Sequence, residues 1–110
     1  MNSKTDRSVT YTRKDVVQRV AEKLDVPFSH MKAPVDAVFK TLREIMSEDH
    51  RSLRIEIRNF GVFEVKPTKA KPMARNPRTN EVVYVPPRRK SHFKPGRLLK
   101  AVFKQPLDSI

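Results

Sequence analysis

Residues 66–90 constrain the fold most, because this segment is strongly basic, spaced by prolines and almost without a hydrophobic pattern. Its first half offers only Ala70, Met73 and Ala74 as apolar side chains. A segment that buries so little apolar surface cannot form part of a core, so we expect it to project from the folded body. Extended stretches placed symmetrically around NPRTN predict a β-hairpin, with Asn80 able to adopt the left-handed conformation of its turn.

The prolines of this segment are compatible with a two-stranded ribbon. Both strands of such a ribbon are edges, and edge strands tolerate residues that have no backbone N–H. The prolines concerned are Pro67, Pro72, Pro86 and Pro87. With about ten residues on each side, at about 3.3 Å per residue, the ribbon would span roughly 33 Å, close to one turn of B-DNA.

The residues before the ribbon predict two helices. TRKDVVQRVAEKL begins with a capping-box pattern at Thr12 and Asp15 and continues with apolar residues on one helical face. A second, more apolar helix is predicted by spacings of three and four between Met31 and Met46, with Pro34 expected in its first turn.

Strand and helix patterns flank the ribbon on both sides. LRIEIR alternates apolar and charged residues, NFG predicts a turn, and VFEV predicts a partner strand. KPGRLLKAVFK predicts a short third helix that Pro95 and Gly96 open. These elements together predict an α+β fold.

The charge of the chain is concentrated in its second half. The 110 residues carry 24 Lys and Arg against 12 Asp and Glu, a net charge of +12. Residues 1–65 have a net charge of +2, whereas residues 66–104 contain twelve basic residues and one acidic residue, Glu81, a net charge of +11. Such a field favours a polyanionic partner, with nucleic acid first, over a merely solvated charged surface.

Composition argues against several other classes of protein. Without cysteine there are no disulfides or thiolate metal sites, and the apolar stretches are too short to span a bilayer. His30, His50 and His92 are isolated in sequence, and two glycines cannot build a glycine-rich phosphate loop. We therefore predict an intracellular protein that is not an enzyme and has no cofactor, metal, small-molecule substrate or membrane partner.

Three motifs carry a family resemblance. IRNFGVFEV, ARNPRTNE and FKPGRLLKAV, in this order and downstream of two helices, resemble the HU/IHF family of bacterial histone-like DNA-bending proteins, over Tyr11 to Lys104. The resemblance implies two N-terminal helices, a small antiparallel sheet with a long β-ribbon arm, a short C-terminal helix and an intertwined dimer. It predicts a DNA-binding domain at 11–104 with its arm at 66–90, between a flexible basic tail at 1–10 and a C-terminal tail at 105–110.

The resemblance also implies which residues contact DNA. Pro77 matches a proline that wedges between base pairs from the minor groove and kinks the duplex, although taken alone it is more simply a turn proline. The predicted arm contacts are Lys66, Lys69, Lys71, Arg75, Asn76, Arg78, Arg88, Arg89 and Lys90. The predicted body contacts are Arg13, Arg54, Arg58, Lys94, Arg97 and Lys100. The predicted core or dimer aromatics are Phe39, Phe60, Phe63 and Phe93.

The predicted function is therefore that of an architectural protein. By resemblance, it binds double-stranded DNA, bends it with low sequence specificity and organises the nucleoid in the bacterial cytoplasm, as a homodimer or with a paralogous subunit. A body of about 85 residues without the arm is also marginal as a monomer. Two alternatives stay open: a sequence-specific architectural regulator, and an RNA-binding assembly protein.

Overall fold

The computed structural model describes residues 8–107, and the chain forms two compact units that divide after Glu48. Residues 1–7 of the predicted N-terminal tail lie outside the described residues, as does the end of the C-terminal tail. Within 8–107, none of the helices combines the length and apolar character needed to cross a bilayer.

Helix α1 of the first unit spans Arg13–Leu24. The predicted capping box is confirmed, because the Thr12 backbone N–H donates to Asp15 Oδ2 at 2.7 Å. This hydrogen bond, and a second from the Thr12 hydroxyl, lower the pKa of the Asp15 carboxyl. The helix ends at Asp25, which is left-handed at φ 55°, and the Val26 N–H closes the last turn on Ala21 O at 3.0 Å.

Helix α2 spans Phe28–Met46 and begins earlier than expected. Pro27 is the N-cap residue and has an extended backbone, so the helix begins at Phe28, about one turn before the apolar pattern that starts at Met31. The prediction that Pro34 lies in the first turn is wrong: it is the seventh residue of the helix. There it lacks the N–H that would bond the His30 carbonyl, a local cost that the long apolar face of α2 tolerates.

Packing between α1 and α2 leaves part of their apolar surface uncovered. Val17, Ala21 and Val35 are buried within the first unit. In contrast, Val38 and Phe39 are 57% and 40% exposed. This unit therefore presents apolar surface that its own two helices do not cover.

The second unit contains a three-stranded antiparallel sheet in the order β1-β2-β5. Its strands are β1 Leu53–Ile57, β2 Gly61–Pro67 and β5 Arg89–Pro95. The predicted alternation holds, with Leu53, Ile55 and Ile57 less exposed than the charged residues between them. Asn59, with φ 65°, turns β1 into β2.

A separate two-stranded ribbon is formed by β3 Lys71–Arg75 and β4 Val82–Val85. The two strands pair antiparallel, with an irregularity between Lys71 and Ala74 that includes Pro72. The predicted hairpin is thus confirmed, and Asn80 is left-handed at φ 62°. The chain closes with helix α3, Arg97–Phe103, which Gly96 precedes as N-cap.

Candidate nucleic-acid interface

The tip of the ribbon is held by its own hydrogen bonds. Between β3 and β4, the Asn76 N–H donates to Glu81 O and the Asn80 N–H donates to Asn76 O, both at 2.7 Å. The Arg78 N–H donates to Asn76 Oδ1 at 2.9 Å, which forms an Asx turn across Pro77. These contacts fix an ordered turn that carries Pro77, an exposed residue, at the end of the ribbon.

Arg75 braces the same turn from the end of β3. Its Nη1 donates to Asn80 O at 3.0 Å and to Asn80 Oδ1 at 3.2 Å. The side chain remains exposed, and a guanidinium has further donors for a phosphate or a base edge. Arg75 therefore stabilises the tip, and neither of these two hydrogen bonds pairs its positive charge with a carboxylate.

The ribbon and the three-stranded sheet meet at a joint formed by Thr68 and Arg88. The Thr68 N–H donates to Arg88 O at 2.7 Å, and the Arg88 N–H donates to Thr68 Oγ1 at 2.9 Å. Both strands are interrupted here, at residues 68–70 and 86–88. Pro86 and Pro87 have no N–H for a regular ladder, so the threonine hydroxyl supplies part of the pairing.

One face of the three-stranded sheet is basic around a single buried carboxylate. Glu64 is 5% exposed on the central strand, opposite Arg54 of β1 and His92 of β5. Its Oε1 lies 3.2 Å from Lys94 Nζ and 3.4 Å from Lys66 Nζ. Oε1 has no hydrogen bond of good geometry within the described part of the chain, so these contacts are best treated as ion pairs.

The environment of Glu64 keeps it charged. Burial is the strongest influence and raises the pKa of its carboxyl, but the ammonium groups of Lys94 and Lys66 together outweigh it. The pKa therefore lies below the ordinary value of 4.5. At neutral pH this carboxylate partly neutralises two of the predicted DNA contacts.

Carboxylates also engage two other predicted body contacts. Arg13 Nε lies 3.1 Å from Asp36 Oδ1 in the first unit. A hydrogen bond from Lys32 first, and the charge of Arg13 second, lower the pKa of the Asp36 carboxyl. In the second unit, Arg54 Nη2 lies 3.0 Å from Glu56 Oε2.

The remaining predicted contacts are solvent-accessible. Arg58 and Arg97 line one surface pocket, so the turn before β2 and the start of α3 bring these two guanidinium groups into the same neighbourhood. Arg89 Nη1 donates to His50 O at 3.4 Å. The other predicted contacts with exposed cationic side chains are Lys69, Lys71, Arg78, Arg88, Lys90 and Lys100.

The predicted aromatic residues fall into two groups. Phe60, Phe63 and Phe93 form one cluster in the second unit, with ring centroids 4.8 to 6.1 Å apart. Phe39 lies on α2 in the first unit and is 40% exposed.

Sequence reasoning missed two residues of this surface. Glu64 belongs to an alternating strand pattern and was not distinguished from a surface charge, because its burial depends on the register of β5. Thr68 lies in a segment without periodicity, and only the distant Arg88 gives it a structural role. In both cases the informative signal is a pairing between residues far apart in sequence.

Comparison with known proteins places this arrangement in a family. The family model described as "Bacterial DNA-binding protein" matches residues 11–104. The DNA-binding protein HU of Thermotoga maritima is 31% identical over 93 residues, covering 84% of this chain and 99% of that protein. The integration host factor subunit beta of Hahella chejuensis is 38% identical over 90 residues, covering 81% and 88%.

A solved structure supports the same relationship. An Anabaena HU–DNA cocrystal structure aligns with a TM-score of 0.73 at 30% identity, covering 87% of this chain and 100% of that one. The fold and the basic ribbon, with these relatives, define an architectural DNA-binding protein. The chain belongs to the HU/IHF family of bacterial DNA-binding proteins.

Proposed function

We propose that the ribbon bends duplex DNA by inserting Pro77 into a base step from the minor groove. The observation that carries this proposal is an exposed proline on a turn that hydrogen bonds hold in one conformation. An ordered wedge loses little conformational freedom on insertion, so more of its contact energy can offset unstacking, which costs about a few kcal/mol per step.

The charge of the ribbon supports DNA as its ligand. Residues 66–90, which comprise the ribbon and the ends of β2 and β5 that lead into it, contain eight basic residues and one acidic residue, a net charge of +7. Cations along both strands can neutralise phosphates on either side of the groove, and the resulting counterion release makes binding steeply salt-dependent. We assign phosphate contacts to the predicted arm and body cations, and minor-groove contacts to Arg75 and Asn76.

The active form is proposed to be a dimer, with a second copy or a paralogous subunit. The exposed apolar surface of α2 supports this, as do Leu98, Val102 and Phe103 of α3, which are 57%, 56% and 65% exposed. Burying such surface against a second chain would stabilise both, at roughly 25 cal/mol per Å². The aromatic residues Phe39, Phe60, Phe63 and Phe93 are assigned to core and dimer packing.

The proposed cellular role is nucleoid organisation in the bacterial cytoplasm, without enzymatic activity and with low sequence specificity. Phosphate contacts carry no sequence information, and a proline wedge senses the ease of unstacking rather than the identity of a base. The domain is assigned to 11–104, with the residues on either side as tails.

The test is the bend angle of an end-labelled duplex, measured by energy transfer at fixed salt. We expect Pro77→Ala to reduce the bend strongly while the affinity falls by less than about tenfold, because the cations remain. Pro86→Ala is the matched control, since it removes an exposed ribbon proline away from the tip. Binding without bending by the wild type would overturn the wedge, and tighter binding to structured RNA at equal salt would favour the RNA-binding alternative.

A further inference from the structure

The polar face of the three-stranded sheet carries a histidine beside its buried carboxylate. His92 of β5 is the direct cross-strand partner of Glu64 in β2, so the two side chains lie on the same face. Directly opposed residues have Cβ atoms about 4.5–5.5 Å apart, a distance that an imidazole and a carboxylate can bridge. His92 is exposed, whereas Glu64 is 5% exposed. The pair therefore joins a buried charge to a group that solvent protons reach.

Glu64 has hydrogen-bonding capacity that its two lysine partners do not use. Its Oε1 is buried and has no hydrogen bond of good geometry within residues 8–107. The ammonium groups of Lys94 and Lys66 lie 3.2 Å and 3.4 Å from this atom, as ion pairs. A buried acceptor without a hydrogen bond costs free energy, so a donor that reaches Oε1 with good geometry would stabilise the sheet.

The other charged groups around His92 are mostly cations. The same face of the sheet carries Arg54 and Glu56 of β1, Lys66 of β2, and Lys90 and Lys94 of β5. Helix α3, which also contacts β5, carries Arg97 and Lys100 and is followed by Lys104. Because Glu56 is already paired with Arg54, Glu64 is the carboxylate that a protonated His92 would meet.

A protonated His92 can take the place of a lysine beside Glu64. Histidine is the side chain that ordinarily changes charge between about pH 5 and pH 8, and its cationic form donates from both ring nitrogens. A hydrogen bond from the ring to Oε1 would satisfy the buried oxygen, and the positive charge of the imidazolium would offset the carboxylate. The lysine that it replaces could then turn its long side chain towards a phosphate.

We infer that His92 is a proton-controlled switch on the sheet: once protonated, it binds Glu64 and frees Lys66 or Lys94 for the DNA backbone. DNA binding would then be coupled to proton uptake, so affinity rises as the pH falls from about 7.5 to about 6. The inference deepens the proposed function and rests on one part of it, the assignment of Lys66 and Lys94 to phosphates. It does not depend on Pro77 or on bending.

The test measures affinity for one intact duplex at the two ends of this pH range, at fixed salt. We expect the wild type to bind about fivefold to tenfold more tightly at about pH 6, and His92→Gln to change by less than about twofold. His92→Lys is charged at both pH values and should bind as tightly at each as the wild type does at the lower one. A wild-type response in His92→Gln would overturn the inference.

His30→Gln is the matched control. It removes an exposed histidine from α2, in the other unit of the chain, and should keep the wild-type response. Calorimetric titration in two buffers of different ionisation enthalpy counts the protons taken up on binding. We expect His92→Gln to lose the uptake that the wild type and His30→Gln share, and equal uptake in all three would contradict the switch.

Glu64→Gln distinguishes the switch from a direct contact between His92 and DNA. Without the carboxylate there is no lysine to release, so the response to pH should fall below about threefold, with equal salt slopes at both pH values. In the wild type the slope should be steeper at the lower pH, by about 0.9 for each lysine released. A full wild-type response in Glu64→Gln would assign the imidazolium to the DNA itself and would overturn the switch.

Lysine variants separate this inference from the proposed function. Lys66→Gln or Lys94→Gln should weaken binding most at the lower pH, where the released lysine contacts a phosphate. If they weaken binding but His92→Gln keeps the response to pH, only the switch fails. If neither weakens binding at either pH, the proposed phosphate contacts of these two lysines fail, and the switch fails with them.

Discussion

The polar face of the three-stranded sheet and the tip of the ribbon are both basic, but their cations are held differently. On the sheet, Arg54 pairs with Glu56, and Lys66 and Lys94 share the buried Glu64. At the tip, Arg75 donates hydrogen bonds to the neutral oxygen atoms of Asn80 and has no carboxylate partner within residues 8–107. The Arg75 guanidinium at the tip is therefore available to a phosphate, whereas a cation of the sheet becomes available only when a phosphate displaces its carboxylate partner. We therefore expect the ribbon to attract DNA first and the sheet to respond after contact.

The largest effect is expected where the sheet has no room to adjust. A Cβ added to Gly61 would lie 2.5 Å from Lys94 O and 2.7 Å from the Phe93 ring. Because the first of these atoms is backbone, Gly61→Ala should force β2 and β5 apart and lower the free energy of unfolding by about 3 kcal/mol. Urea denaturation measures this loss, and an unchanged midpoint would show that the two strands are not rigidly paired.

A smaller effect, on DNA binding, should follow from removing the buried carboxylate. Glu64→Gln leaves Lys66 and Lys94 without their shared partner, so we expect affinity to rise roughly threefold to tenfold. The salt slope should steepen by about 0.9 for each lysine that gains a phosphate. Titrations at several salt concentrations provide both quantities.

The control for this substitution is Glu44→Gln, an equal charge change on the exposed surface of α2. It raises the net charge without removing the carboxylate that holds these lysines. If both variants steepen the salt slope equally, Glu64 does not restrain Lys66 and Lys94, and the higher net charge alone explains the gain in affinity.

The smallest effect is expected at the tip, where a substitution should remain local. Asn80→Ala keeps the left-handed backbone but loses the Oδ1 contact, at a cost of about 1 kcal/mol. Hydrogen exchange at the backbone amides of positions 76 and 80 should accelerate about fivefold, while the urea midpoint stays the same. Asn80→Gly is the control that loses the same Oδ1 contact but has no Cβ, so the difference between the two variants isolates the backbone cost. A shift of the midpoint would show that the ribbon and the sheet unfold together.

Local patterns predicted most of the elements because each depends on a few adjacent residues. The capping box at Thr12, the alternation from Leu53 to Ile57 and the left-handed Asn80 are all confirmed by the structure. The start of α2 was misjudged because Pro34 was weighed as a first-turn residue, while Pro27 already supplied the N-cap.

The finer features of the candidate interface were not accessible to the same reasoning. The burial of Glu64 requires β5 to pair with β2 in one register, which places Lys94 within reach of a residue far away in sequence. The extended pattern predicted the ribbon, and the DNA contact that motif resemblance implies for Pro77 stays a prediction. How neighbouring charges are compensated depends on strand pairing that neither of them reveals.

The prolines of the ribbon have a consequence for self-association. A two-stranded ribbon exposes two unpaired edges, each able to recruit a strand from another molecule and so begin an ordered aggregate. Pro72 lies in β3, whereas Pro67, Pro86 and Pro87 lie at the base of the ribbon, and none of the four has an N–H to offer such a strand. The surrounding lysines and arginines repel a second ribbon of the same charge. These prolines and cations can thus oppose edge-to-edge aggregation of ribbons at the high local protein concentrations that dense binding along DNA produces.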